Sequence, residues 1–228
     1  MIKKVNVKNA IAKRKEFLNS ALLKDSYKLH FSLGNSKTGI IPSFSVLPFL
    51  TCTNCKECGK YCYAAKNRFN FHRNIENLAE NTAAIRNLSM KELIDQFENF
   101  FNGLTVYKYF RFNVAGDIAG PIGTKYFDLI LKVSLMHPET TFLMFTKNYE
   151  RINLFLEYGG KLPENLTIVF SQWDNNTFEN PFDLPIAIVK MDENTNIPEN
   201  AFHCSGDCAN CLDCWKAKKG TVRYFDLH

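Results

Sequence analysis

At 228 residues, 46% of them hydrophobic, the chain is long enough to bury a full core and is a poor fit to the small disulfide-stapled class. Its formal net charge of +5 is mild, and a solvated surface accounts for it without a polyanionic partner. No stretch approaches the ~20 apolar residues of a membrane span, so no membrane partner is expected.

Met1-Ile2-Lys3-Lys4 is not followed by an apolar run, so no secretory signal is expected and the cytoplasm is the expected compartment. Residues 8–24 predict an amphipathic helix, with Ala10, Ile11, Phe17, Leu18, Ala21 and Leu22 on one face. Basic residues gather at both ends: Lys8, Lys13, Arg14, Lys15 and Lys24, then Lys216, Lys218, Lys219 and Arg223. They leave room for an anionic partner such as nucleic acid. Residues 27–33 alternate as a strand. Gly34 to Gly39, with Lys37, forms a glycine-rich turn that lacks the full phosphate-loop spacing. Residues 40–50, with Pro42 and Pro48, read as an extended lead-in to a cysteine run.

That run is Cys52, Cys55, Cys58 and Cys62, echoed by Cys204, Cys208, Cys211 and Cys214 near the other end of the chain. The two runs hold all 8 cysteines. A short loop carrying four thiols can wrap one inorganic centre, whereas neighbours two or three residues apart make strained disulfides. The first spacing, x2, x2, x3, matches the bacterial ferredoxin-type iron–sulfur run, with Tyr63 where such runs carry proline. Zinc also takes four thiolates, usually as two separated pairs, and stays open as an alternative. A [4Fe–4S] cluster, one or two per chain, is the cofactor expected.

Helices are predicted over about 71–87 and 90–102, the second capped by Ser89 with Glu92 completing a capping box. From residue 106 strands and helices alternate: strands at 106–114, 140–145, 166–171 and 184–190, and helices at 124–136 and 149–158, the latter stopped by Gly159-Gly160. That alternation predicts an α/β fold with a parallel sheet. In such sheets function gathers at the carboxyl ends of the strands. Those ends carry Asn113, Gly116 and Asp117, then Thr146 and Lys147, then Ser171, Gln172 and Trp173, then Lys190 and Asp192. Asn113, Gly116, Asp117, Lys147 and Gln172 are the candidate ligand-binding residues. Gly-Asp is also a common turn pair, so a turn role for Asp117 competes. Core packing is the default for Trp173, and an exposed helix start for Lys147 and Arg151. The whole chain, 1–228, reads as one domain: helix 8–24, Cys run 52–62, βα core 106–191 and Cys run 204–214. No nucleophile–base pair stands at a recognisable spacing, so hydrolysis is not indicated.

Gly39-Ile-Ile-Pro42-Ser-Phe44-Ser, the run ending Tyr61-Cys62-Tyr63-Ala64, Arg111-Phe-Asn-Val-Ala-Gly116-Asp117 and the terminal Cys run resemble the phage gene product eighty-eight family. Phe142-Leu-Met-Phe-Thr146-Lys147-Asn-Tyr-Glu150-Arg151, followed by Leu162-Pro163-Glu-Asn165, is similar to another phage family of radical-SAM-like proteins. The resemblance covers roughly residues 30–215. It implies an iron–sulfur protein on a partial (βα) TIM-like barrel of the radical-SAM type, in a bacterial host cytoplasm if phage-encoded. By the same resemblance Gly116-Asp117 stands where such enzymes contact the methionyl amino group of S-adenosylmethionine, and Tyr61 is the aromatic before the last cluster cysteine. The departure is the spacing. Radical-SAM runs use x3 then x2 and three thiols; here four thiols saturate a cluster if all bind.

Three functions are compatible with these residues: a redox or radical enzyme with an open iron, a fully ligated electron-transfer or sensing protein served by an electron donor, and a zinc-stapled nucleic-acid-binding module.

Overall fold

The structure is a computed structural model and describes residues 3–35, 38–53, 55–103, 106–173 and 177–227. Helix α1 (Val7–Leu22) opens the chain, its first turn capped by the Asn6 side chain, which accepts from the Asn9 N–H at 3.1 Å. Strands β1 (Phe31–Ser32) and β2 (Ser43–Phe44) come next, then the short helix α2 (Lys56–Tyr61) inside the first Cys run. Helices α3 (His72–Asn87) and α4 (Met90–Phe101) succeed it. The capping box on α4 forms as its sequence predicts: Ser89 Oγ accepts from the Glu92 N–H and Glu92 Oε2 from the Ser89 N–H. The core then runs β3 (Tyr109–Phe112), α5 (Gly123–Met136), β4 (Thr141–Thr146), α6 (Tyr149–Glu157), β5 (Leu166–Trp173) and β6 (Ile186–Lys190). Strand β7 (Phe202–His203), helix α7 (Cys208–Cys211) and strand β8 (Val222–Asp226) close the chain.

The described strands form one open sheet in the order β1-β2-β3-β4-β5-β6-β8-β7. Only the β1–β2 pair is antiparallel; every other pairing is parallel. The α/β class is as expected. Alternation along the strands divides the sheet into two faces. Phe110, Phe112, Phe142, Met144, Ile168 and Phe170 face the helices and join Phe97, Tyr126 and Ile130 in the main core. Leu143, Val169 and Ala187 point to the opposite face, where Trp215 covers them. Aromatic rings interlock on the helix side: Phe44 sits 5.1 Å from Phe97, and Phe112 stacks on Phe142 at 5.6 Å.

Three expectations differ from the structure, the first being the strand expected over 106–114, which is confined to Tyr109–Phe112. The strand expected over 27–33 shrinks to Phe31–Ser32. Its earlier backbone donors go to helix side chains instead: Lys28 N–H to Glu80, Leu29 N–H to Gln96 and His30 N–H to Asn81. Strand β8 falls in the basic C-terminal stretch, between β6 and β7, where the sequence pattern predicts no strand. Ser36 and Lys37 of the glycine-rich turn lie outside the described residues. Among the described residues no helix is long and apolar enough to cross a membrane.

Candidate metal centre

The first Cys run lies at the carboxyl end of the parallel strands. Cys58 is buried and packs with Trp173 at the end of β5 and Val189 near the end of β6, and Cys55 and Tyr61 pack against the same group. Cys55 and Cys58 stand 3.9 Å apart, sulfur to sulfur, and the Phe49 N–H donates to Cys52 Sγ at 3.3 Å.

The loop after β3 fixes the entry to this run. Thr51, next to Cys52, accepts from the Asp117 N–H at 3.2 Å, and its carbonyl accepts from the Ala119 N–H at 3.0 Å. Gly116 has φ +78°, and a Cβ there would stand 2.5 Å from the Val46 carbonyl oxygen and 2.7 Å from Thr51 Oγ1. Glycine is therefore required twice, by backbone conformation and by close approach. Behind the run, the Tyr63 hydroxyl donates to the Val114 carbonyl, holding the Cys62–Ala65 turn onto the end of β3.

Asp117 is 4% exposed and both its oxygens are engaged. Oδ1 accepts from Thr146 Oγ1 at 2.6 Å and the Ile118 N–H at 2.8 Å; Oδ2 accepts from the Lys147 N–H at 2.8 Å. Burial nonetheless holds its carboxyl above the ordinary value. This carboxylate clamps the end of β3 to the end of β4 and so sets the position of Lys147. The Lys147 ammonium lies 5.6 Å over the Trp173 ring. Burial alone would push that ammonium down; the ionised forms of Cys58, Asp117 and Cys52 outweigh burial and raise it.

A second cation reaches the run from α1. Arg14 is 1% exposed, donates to the Ala64 carbonyl at 2.8 Å and the Ala10 carbonyl at 3.2 Å, and lies 5.2 Å over the Phe49 ring. Among the described residues it has no carboxylate within ion-pair distance. Burial pushes its guanidinium down, and charge on Cys62 and Cys52 opposes that. A buried charge needs a counter-charge, and the sulfurs are the groups in place to supply it.

The Cys55, Cys58 and Cys62 thiols resist ionisation. Hydrogen bonding to Cys52, with burial adding to it, pushes the Cys55 thiol up to about 12, and burial raises Cys62. Metal coordination is the usual way to ionise such thiols near neutral pH.

The second run closes round a cavity of about 20 Å³ lined by Cys204, Cys208, Cys211 and Cys214 together with Arg223. Trp215 pins it to the sheet: its indole N–H donates to the Phe110 carbonyl at 3.0 Å, and Thr167 Oγ1 donates to its carbonyl at 2.8 Å. Burial raises the Cys214 thiol to about 11. Phe225 on β8 packs against both the apolar cluster of Trp215, where Cys208 and Cys214 also pack, and the cluster of Cys58, Trp173 and Val189, where Cys55 also packs. Among the described residues no three His, Cys, Asp or Glu side chains are arranged to hold a metal ion. The donor set is sulfur throughout, and a buried Arg14 and a half-buried Lys147 lie beside the first run; in donor type and charge the residues fit a thiolate-bound centre.

Of the other residues read from the sequence, Asn113 stands at the end of β3 with φ +57°, 4% exposed, and neither its amide nitrogen nor its amide oxygen has a partner. Gln172 alternates onto the helix side of β5 with Phe170, away from Ser171 and Trp173. Arg151 binds Thr124 Oγ1 at 2.8 Å. His203 pairs with Asp226 rather than with its cysteine neighbour. By sequence Arg14 counts only as one of the basic residues of the N-terminal stretch, and its role beside the cysteines is missed. Its signal was there: Arg14 shares the stripe of Ala10 and Ala21, the buried face of α1.

Fold and site together define a mixed α/β protein with an open, mostly parallel sheet and a four-cysteine run at its carboxyl edge. The family model described as gene product 88 matches residues 4–220, and the chain belongs to that family. No curated protein and no solved structure matches it.

Proposed function

We propose that the chain is an iron–sulfur protein on a partial barrel of the radical-SAM type, with the first run as its principal centre. Cys52, Cys55, Cys58 and Cys62 would hold one [4Fe–4S] cluster and Cys204, Cys208, Cys211 and Cys214 a second. The observation that carries this reading is the buried Arg14, which bonds the Ala64 carbonyl two residues past Cys62 and has no carboxylate partner among the described residues. Four thiolates on such a cluster leave a net negative charge, and Arg14 and Lys147 would offset it.

When bound, the cluster supplies one-electron chemistry. The chain's own residues do the rest. Asp117 sets Lys147, Gly116 admits the Val46–Thr51 segment, and Trp173 shields Cys58. Phe225 packs against the apolar clusters beside both runs, which suits electron passage between two centres. The unpartnered Asn113 amide supports a ligand at the same strand ends, with S-adenosylmethionine the one the resemblance implies. If all four thiols bind one cluster, no iron is open, and the function is electron transfer or sensing. EPR of the reduced protein with and without S-adenosylmethionine separates these: a changed signal means an open iron, an unchanged one a saturated cluster.

One distance favours a second reading. A zinc ion with sulfur ligands at about 2.3 Å in a tetrahedron spaces those sulfurs by about 3.8 Å, and Cys55 and Cys58 are 3.9 Å apart. A colourless protein with stoichiometric zinc after anaerobic purification sinks the iron–sulfur proposal.

A further inference from the structure

An open cleft of about 470 Å³ lies between residues 3–14, at the start of the chain and of α1, and residues 65–70. Lys3, Lys4, Lys13, Arg14 and Lys66 line it together with Asn6, and no acidic residue does so among the described residues. Five cations on one concave surface, on a chain whose net charge is only +5, mark a local concentration and not a general basicity. The volume falls in the roughly 300–1,000 Å³ range of small-molecule sites. A single phosphate, at about −1.5 to −2 charge, would leave most of these cations unmatched.

Two features single the cleft out from ordinary surface lysines. Arg14 at its base is 1% exposed, and its Nε has no partner although Nη1 and Nη2 do. The walls are also fixed to one another: Lys13 Nζ reaches the Asn70 carbonyl at 3.4 Å, the Val5 N–H donates to the Lys60 carbonyl at 2.7 Å, and Lys4 lies 5.8 Å over the Tyr61 ring. The start of α1 opens into the same space, which favours anions further.

We infer that this cleft binds a polyphosphate-bearing ligand of nucleotide size, held by Lys3, Lys4, Lys13, Lys66 and Arg14. The site does not rest on the iron–sulfur reading. It adjoins the Cys run through Arg14 and through Ala65 and Lys66, which lie just past Cys62 in the chain.

The test is fluorescence anisotropy of ADP carrying a ribose-linked fluorophore, titrated with the whole chain as purified anaerobically in 0.15 M salt, a concentration that screens scattered surface charge within about 8 Å. The wild type is expected to bind. The pair Lys13→Glu with Lys66→Glu is expected to weaken binding at least tenfold, while Lys132→Glu with Lys161→Glu, an equal change in net charge elsewhere, leaves it within about twofold. Should the first pair unfold, Lys13→Gln with Lys66→Gln is read in its place and must weaken binding severalfold. Absence of binding by the wild type overturns the inference, as does equal binding by the cleft variant or equal loss in the control. An unlabelled single-stranded oligonucleotide and unlabelled ADP serve as competitors. Displacement by the oligonucleotide alone would mean that the phosphates recognised belong to a nucleic acid, and the nucleotide-sized assignment fails.

Discussion

Arg14 on α1 donates to the carbonyl of Ala64, fifty residues on and two past Cys62, at 2.8 Å. That bond brings α1 to the back of the cysteine run, and brings a buried cation with it. Replacing Arg14 by Met keeps much of the apolar stem and removes the charge. A cluster that gains negative charge on reduction then loses its compensation. The reduction potential of the loaded protein is expected to fall by about 60 mV, the one-electron equivalent of a tenfold change. An unchanged potential in voltammetry means that the centre does not feel Arg14.

Gly116→Ala tests the loop that carries Cys52. The new Cβ would meet the Val46 carbonyl oxygen at 2.5 Å in a backbone with φ +78°. Strain and overpacking together are expected to cost about 2–5 kcal/mol. Urea unfolding measures it, and metal content should fall in parallel because Thr51 is displaced. A variant of native stability contradicts the placement.

Trp215→Ala removes a side chain that is 3% exposed and covers Leu143, Val169 and Ala187. The expected loss is about 3–5 kcal/mol. Trp215→Phe restores part of the packing but leaves the Phe110 carbonyl without its indole donor, so an intermediate loss is expected. Both variants lack the indole donor, so equal stability of the two would exclude ring packing as a contributor and leave the lost hydrogen bond to account for the loss.

Glu80 gives the pH dependence. Burial alone would raise its carboxyl, but bonds from Lys24, the Lys28 N–H and His30 outweigh burial and hold it below the ordinary value. A carboxyl depressed in the folded state adds stability that is present above its unfolded value, about 4.3, and is lost as pH falls through the folded value. Unfolding free energy measured from pH 7 down to pH 3 should therefore decline more steeply in the wild type than in Glu80→Gln. Parallel curves would show that the Glu80 network contributes nothing to acid stability.

The elements most legible in the sequence were those whose pattern is local. Helices α3 and α4 arise from apolar periodicity and from the Ser89–Glu92 box, and β4 and β5 from short apolar runs. Gathering of polar residues at the strand ends was also legible, because parallel strands place their carboxyl ends on one edge. What escaped depends on partners distant in sequence. Residues 27–30 alternate like a strand, yet their donors are taken by Glu80, Gln96 and Asn81. Strand β8 is short and comes after a basic stretch, and only pairing with β6 and β7 makes it a strand. Gln172 was read by its place at a strand end, but side-chain alternation sends it to the other face. Arg14 looked like solvent-facing charge until the turn after Cys62 closed over it.

The most direct test of the iron–sulfur centre is a count of iron and acid-labile sulfide in anaerobically purified protein, for the wild type and for Cys55→Ala and Cys58→Ala. Equal amounts of iron and sulfide, about eight of each if both runs are loaded and about four if one is, are expected in the wild type. Each variant should lose the share held by the first run. Iron content unchanged in both variants, or zinc in place of iron in the wild type, contradicts the account.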